Sequence, residues 1–311
     1  GTPIASRAPR CASLPALISL PTPCAHSLRD GGRVSPAHPL PFAPRLRAQA
    51  AGRMADLKFT GMLVGNPFSD IVENTYGRYG TLAGHQLVPA PLYAEWEEAC
   101  KMVARQRPSK CDALETRMDD ITEGLNPYAL DWPVCLDDER RSVQSLRMSH
   151  MLAAARRGEM ANAPAYQPCE DNYVLSYLSR DDVRKAIHVK PEANKWEECS
   201  DELRYNQSDL LVSSASIYPE LFRAGLRVLI YSGDDDSICG GVGTQTWLYG
   251  PGKKVTRPWA QWKVAGQVAG YVQHFEGDFA YATVHGAGHE VPAYKPARAY
   301  QLLKNFLSGA W

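Results

Sequence analysis

Apolar residues are spaced in three ways along this 311-residue chain, and each spacing predicts its own element. The run Leu226-Arg-Val-Leu-Ile-Tyr-Ser232 is almost continuously apolar, as expected of a parallel strand buried on both faces. Residues 57–64 read as another strand, ended by Gly65-Asn66-Pro67. Over 259–283 apolar positions alternate in short runs, broken at Ala265-Gly266 and at Glu276-Gly277-Asp278. This stretch reads as a meander of three strands. Its last run, Phe279-Ala-Tyr-Ala-Thr-Val284, has the β-branched and aromatic content that suits a pleated surface. Helical spacing sets in over 295–307, started after Pro292 and closed by Gly309.

Between the first strand and the Leu226 strand the pattern is mainly helical. The residues just after Pro67 are rich in Gly and Tyr and read as poor in helix. Helices are predicted over 91–104, with Trp96 and Cys100, and over 112–121, 140–157, 171–178 and 181–189. Ser179 is the expected N-cap of the last, where Asp181 and Asp182 suit the positive helix end. A helix over 216–224 carries Pro219 in its first turn and stops at Gly225, and another starts over 244–249. Strands and helices in this order predict an α/β fold, whose chemistry sits at the carboxyl edge of the sheet.

Two loops at that edge carry candidate chemistry. In Thr283-Val-His-Gly-Ala-Gly-His-Glu-Val-Pro292, a strand ends and a glycine-rich turn presents His289. A lone histidine is more often a surface or core residue than a catalyst. His285 and His289 stand four apart, as zinc ligands on a helix do, but Gly286 and Gly288 argue against a helix, so no metal is expected. The second loop, Gly233-Asp-Asp-Asp-Ser-Ile-Cys239, follows the Leu226 strand at once. Three adjacent aspartates are usually a solvated turn, and the calcium-loop pattern fails because they do not alternate and no glutamate follows at the right distance. Strand, Asp loop, strand, His loop is the order in which α/β-hydrolases supply the last two members of a Ser-Asp-His triad. There a buried Asp fixes the imidazole through Nδ1–H and leaves Nε2 to take the proton of a serine.

With these residues the chain resembles the serine carboxypeptidases. The resemblance rests on Gly61-Met-Leu-Val-Gly-Asn-Pro67, Asn126-Pro-Tyr128, Pro168-Cys-Glu-Asp-Asn-Tyr173, Tyr177-Leu-Ser-Arg-Asp-Asp-Val183, Trp196-Glu-Glu-Cys-Ser200, Tyr231-Ser-Gly-Asp-Asp-Asp236 and Gly286-Ala-Gly-His-Glu-Val-Pro292. It covers about 57–308, in family order. It implies an α/β-hydrolase sheet, here incomplete because the N-terminal half of the family pattern is missing, with a mainly helical lid insertion at about 81–210. It carries the triad acid to Asp236 and the triad base to His289, and it places Cys239, Glu290 and Asn66 at the substrate pocket. It pairs Cys100 with Cys111 and Cys135 with Cys169, each closing a short loop worth about 3 kcal/mol by chain entropy. Cys199 normally pairs with a cysteine upstream of the matching stretch and is expected to be orphaned. Trp196 reads as pocket wall or simply core.

The departure from the family pattern is as informative. The family's nucleophile lies in a Gly-Glu-Ser-Tyr-Ala-Gly turn, and no Gly-x-Ser-x-Gly occurs in these 311 residues. The Asn-Gly-Gly-Pro-Gly segment that supplies an oxyanion-hole amide is also absent. Without an activated serine there is no acyl-enzyme, so the expectation for this chain alone is inactivity. The strand over 57–64 would also lack an inner partner, which predicts poor solubility.

Composition fits a globular domain over 54–311 preceded by something else. Overall the chain is 44% hydrophobic, with 34 acidic and 34 basic residues, which gives no reason to expect a nucleic-acid partner. No stretch reaches the roughly 20 apolar residues that span a bilayer. Residues 1–53 hold seven arginines, one acid (Asp30) and one aromatic residue (Phe42), a composition that predicts disorder. They read as a transit peptide, as a weak signal segment over 11–20, or, the reading favoured, as a truncated or mis-assembled translation, since Met54 stands just before the resemblance begins. Eight cysteines fit an oxidising compartment, with Cys11 and Cys24 outside the family pattern, and Asn206-Gln-Ser208 is an N-glycosylation acceptor.

The resemblance therefore implies a secretory-pathway, vacuolar, lysosomal or extracellular carboxypeptidase acting on peptide C-termini without a cofactor, and it leaves a homodimer open. An acyltransferase of the same family, using an acyl-sugar donor, and a catalytically dead scaffold stand beside that reading. Glu290 hints at a preference for basic side chains.

Overall fold

The computed structural model describes residues 59–100, 108–135, 168, 170–196, 212–249 and 254–311, the side chains of 170–173 excepted. The chain divides into two compact units. Among the described residues, one unit contains 134–135, 168 and 170–196, and the other contains the rest. The predicted helix over 140–157, the stretch 1–53, Cys169, Cys199 and Asn206 all lie outside the described residues.

The larger unit is built on β1 (Gly61–Gly65), β2 (Arg227–Gly233), β3 (Val255–Val264), β4 (Gln267–Phe275) and β5 (Phe279–Val284). These form one sheet in the order β1-β2-β5-β4-β3. β1, β2 and β5 run parallel, with Leu63 opposite Leu229 and Ile230 opposite Tyr281. β3, β4 and β5 make the expected antiparallel meander. β2 lies between β1 and β5, and its Val228, Leu229 and Ile230 are buried in succession, which is why its sequence is a continuous apolar run.

In chain order the helices are α1 (Ile71–Gly84), α2 (Ala90–Ala99), α3 (Lys110–Ile121), α4 (Glu170–Leu178), α5 (Asp181–Ala186), α6 (Tyr218–Arg223), α7 (Gly241–Leu248), α8 (Val291–Tyr294) and α9 (Pro296–Ser308). The stretch after Pro67, expected to be poor in helix, is the 14-residue α1. Asp70 starts it by accepting the N–H groups of Val72 and Glu73. Its glycines weaken the helix locally but let it meet α7 backbone to backbone. A Cβ on Gly77 would stand 2.7 Å from Gly240 O, and one on Gly243 would stand 2.1 Å from Glu73 O. Tertiary packing thus overrides the propensity of the sequence. Tyr79, Leu82, Trp96, Leu114 and Met118 form a hydrophobic cluster under α1, α2 and α3, where Cys100 and Cys111 are disulfide-bonded as the resemblance implied.

Other boundaries shift for local reasons. β1 is shorter than the strand expected over 57–64 and runs to Gly65. The helix expected over 295–307 is α9, which Pro296 starts after an extended Lys295 (φ −135°), and the short α8 precedes it. Gly309 ends α9 in the left-handed region (φ 71°). In the smaller unit Arg180, not Ser179, is the N-cap of α5, and Ser179 Oγ makes no capping bond. α5 stops at Ala186, before His188 (φ 60°). The helix expected over 216–224 begins as a 3-10 turn, Ser214–Ile217. Among the described residues no helix is long and apolar enough to cross a membrane.

Candidate active site

β2 and β5 end in register, Gly233 opposite Val284, so the loops that follow leave the same sheet edge side by side. They pack so closely that only glycine fits at the crossings. A Cβ on Gly233 would lie 2.2 Å from Ala287 O, and one on Gly288 would lie 2.3 Å from Tyr128 O. Gly286 takes the left-handed conformation (φ 65°) that reverses the His loop. Asp234 ties the loops together, accepting the Gly286 N–H at 2.6 Å and facing His285 Nδ1 at 2.8 Å. The Asp235 N–H donates to Ala287 O at 3.0 Å, and the His289 N–H donates to Tyr128 O at 2.7 Å.

This frame brings Asp236 and His289 together. His289 Nδ1 lies 2.8 Å from Asp236 Oδ2, and Asp236 is fully buried. Asn66 Nδ2 donates to the same oxygen at 2.8 Å, while the N–H groups of Ile238 and Cys239 donate to Oδ1 at 2.8 and 3.2 Å. A buried carboxylate is costly unless it is hydrogen-bonded, and these donors meet that need. Because a carboxylate only accepts, the proton of this contact belongs to Nδ1, and Nε2 is the nitrogen that a triad uses.

Burial of His289 disfavours its charged form, but hydrogen bonds from the ring to Asp236 and Cys239 and the charge of Asp236 outweigh it and raise its pKa. Burial pushes the Cys239 thiol up, so near neutrality Cys239 is a thiol and the support for an imidazolium comes from Asp236. The ring of Tyr128 packs edge-on against His289 at 5.5 Å.

Cys239 is buried and free, hydrogen-bonded to the His289 ring. The O, S and N atoms of Asp236, Cys239 and His289 lie within 4.8 Å of one another. The 2.8 Å from Nδ1 to Oδ2 is a hydrogen bond, shorter than the ~3.3 Å that separates two ligands of one tetrahedral zinc ion. Asn66, expected at the substrate pocket, is 3% exposed with a strained φ of 40°, and its side chain spans from the Gly233 N–H to Asp236. Glu290 is half-buried at the start of α8. Of the three aspartates, Asp235 and Asp236 are buried and Asp234 is partly exposed, so the loop is not the solvated turn that such a run usually makes. Cys135 is disulfide-bonded, and its expected partner Cys169 lies outside the described residues.

The residues that sequence reasoning missed are Asn66 as a partner of Asp236, Tyr128 as the acceptor beneath His289, and Asp235. The Asn126-Pro-Tyr128 motif was the one available signal for Tyr128.

Comparison with known proteins decides the family: the serine carboxypeptidase family model matches residues 43–309. This chain belongs to the serine carboxypeptidase family. The match starts at 43, inside the 1–53 stretch favoured as a truncated or mis-assembled translation. Among Arabidopsis thaliana proteins it is similar to serine carboxypeptidase-like 25, 30% identical over 267 residues, covering 81% of this chain and 55% of that protein. Serine carboxypeptidase-like 22 is 32% identical over 260 residues, with 81% and 55% covered. The chain spans about half the length of the curated relatives it matches. The fold matches that of the Saccharomyces cerevisiae prohormone-processing carboxypeptidase Kex1Δp, with a TM-score of 0.55 at 14% identity over 86% of this chain and 59% of that one. The α/β-hydrolase expectation for a serine carboxypeptidase is thereby met, as a partial sheet of five strands.

Proposed function

We propose that this chain carries the acid–base half of a serine carboxypeptidase that releases C-terminal residues from peptides through an acyl-enzyme. The observation that supports this reading is the buried 2.8 Å contact between Asp236 Oδ2 and His289 Nδ1 at the end of parallel strands. In this mechanism Asp236 holds the ring so that Nε2 of His289 faces the nucleophile. The imidazole then takes the serine proton as the acyl-enzyme forms and returns it to the leaving amine. Asn66, Ile238 and Cys239 keep the Asp236 carboxylate in plane, and Tyr128 O holds the His289 backbone. Asn66 acts in this reading through Asp236, while Cys239 and Glu290 flank the histidine beside the substrate. The active protein works in the secretory pathway or a vacuole-like compartment, in keeping with the Cys100–Cys111 disulfide.

No Gly-x-Ser-x-Gly occurs in the sequence, so the 311 residues alone form no acyl-enzyme in this reading. That same feature favours a second reading, a scaffold without turnover. Fluorophosphonate labelling separates them. The 311-residue chain should stay unlabelled, whereas a product of the same gene extended upstream to a serine elbow should label at that serine. An upstream-extended product that carries no elbow and takes no label would support the scaffold.

A further inference from the structure

Among the described residues, two clusters bring potential metal ligands together, and one of them has the spacing that ligands take around an ion. In the Asp236–His289 cluster the imidazole and the carboxylate meet at 2.8 Å, the length of a charge-assisted hydrogen bond. In the other, His85, Asp131 and Asp235 bring one ring nitrogen and two carboxylate oxygens within 4.8 Å of one another. There Nε2 of His85, the C-cap of α1, stands 3.4 Å from Asp235 Oδ1. That exceeds the about 2.7–2.9 Å of a charge-assisted hydrogen bond and matches the ~3.3 Å between two ligands of one tetrahedral zinc ion.

Each group is also set for coordination. His85 Nδ1 stands 3.2 Å from Thr81 O, which only accepts, so Nδ1 carries the proton and the Nε2 lone pair faces the carboxylate. Metal-bound histidines commonly have such a backbone carbonyl fixing their tautomer. Asp235 is 1% exposed, and its carboxylate accepts the Asp131 N–H with both oxygens at 3.1 Å, which favours the ionised, ligating form. Two carboxylate oxygens offer about four lone-pair positions, so Oδ1 keeps one for an ion. Burial first, then the charges of Asp131 and Asp234, oppose an anion at Asp235, and a cation beside it offsets both. Asp131 is exposed, which gives an ion its way in and leaves a remaining position to water.

We propose that His85, Asp131 and Asp235 form a zinc site that fastens the 126–132 loop to the end of α1 and to the Asp loop. One imidazole with two carboxylates suits zinc and its transition-series neighbours, whereas calcium and magnesium take oxygen ligands alone. All three residues belong to the larger unit but to separate segments of it, so an ion here acts as a cross-link. The 126–132 loop supplies Tyr128 O to the His289 N–H, and an ion that holds the loop steadies the backbone beneath the histidine. The site belongs to the fold and does not depend on the carboxypeptidase reading.

The test uses the whole 311-residue chain, stripped with a chelator and then titrated with zinc chloride or cobalt(II) chloride. Zinc should raise the thermal midpoint of the wild type, and competition with a chromophoric chelator gives the affinity. His85→Gln and Asp131→Asn should each weaken zinc binding by about tenfold to a hundredfold or more, since losing even an outer-shell partner costs that much. Asp131→Asn lies on the surface and keeps its backbone N–H on Asp235, so it reports on the ligand without disturbing the fold. Cobalt(II) should give visible ligand-field bands that His85→Gln removes, without a thiolate charge-transfer band, because the set contains no sulfur. A wild-type midpoint that does not respond to zinc would overturn the site. So would unchanged affinity in either variant, or a cobalt(II) thiolate band that persists in His85→Gln, which would move the ion to Cys239 or another thiol.

Discussion

Asn66 Nδ2 and Asp236 Oδ2 meet at 2.8 Å across a sequence gap of 170 residues, on the oxygen that also faces His289. Asn66 Oδ1 closes the bridge by accepting the Gly233 N–H at 3.1 Å. Its strained backbone (φ 40°) is held by this double contact, and the Asn66 N–H donates to Tyr231 O at 2.8 Å. Asn66→Ala deprives a buried carboxylate and a buried N–H of partners together. Unfolding free energy should fall by about 2–3 kcal/mol in urea titrations, and Asn66→Asp, which opposes two carboxylates, should cost more. A change below about 0.5 kcal/mol would show that the bridge carries no weight.

The raised His289 pKa sets a direction for the pH dependence. A histidine whose folded value lies above its unfolded value of 6.5 stabilises fully below that value, and the stabilisation is lost as pH rises through the folded value. Replacing His289 by Gln should therefore cost most stability below about pH 6.5 and progressively less above it. Urea midpoints of the two proteins across pH should converge on the alkaline side, and convergence on the acid side would contradict the assignment.

The α1–α7 crossing depends on backbone contact. A methyl at Gly243 would stand 2.1 Å from Glu73 O, and helix backbone has little room to retreat. Gly243→Ala should cost about 1–3 kcal/mol or more by overpacking, although alanine favours helix in isolation. A stabilised variant would mean that the two helices can part without cost.

Cys100 and Cys111 close a short loop across α2 and α3, with Cα atoms 5.4 Å apart. Opening it by Cys111→Ser should remove about 3 kcal/mol, seen as a lower thermal midpoint. Reductant should then lower the wild type by more than the variant, in which, among the described residues, only the Cys135 disulfide is left to open.

Much of the fold was legible for identifiable reasons. β2 announces itself by an unbroken apolar run, and the meander by Ala265-Gly266 and Gly277, all of which take positive φ. That the Asp loop and the His loop would meet followed from their order, and the family resemblance singled out Asp236 and His289. α1 was missed because Gly77, Gly80 and Gly84 read as breakers, when Gly77 is where α7 comes close; Asp70 was the overlooked start signal. Of the three aspartates only Asp236 was assigned a role, and nothing local reveals that Asp235 turns inward to Asp131 and His85. Asn66 was placed at the pocket from family pattern, since its bond to Asp236 spans 170 residues and leaves no local trace.

The most direct measurement of the central claim is made on an upstream-extended gene product once fluorophosphonate labelling has located a serine elbow in it, assayed for release of the C-terminal residue from an N-blocked dipeptide. Asp236→Asn, which keeps the shape of the pair but spoils its tautomer control, should lower kcat about 10⁴-fold with KM little changed, and His289→Gln at least as much. Wild-type turnover that survives both substitutions within tenfold would contradict the account.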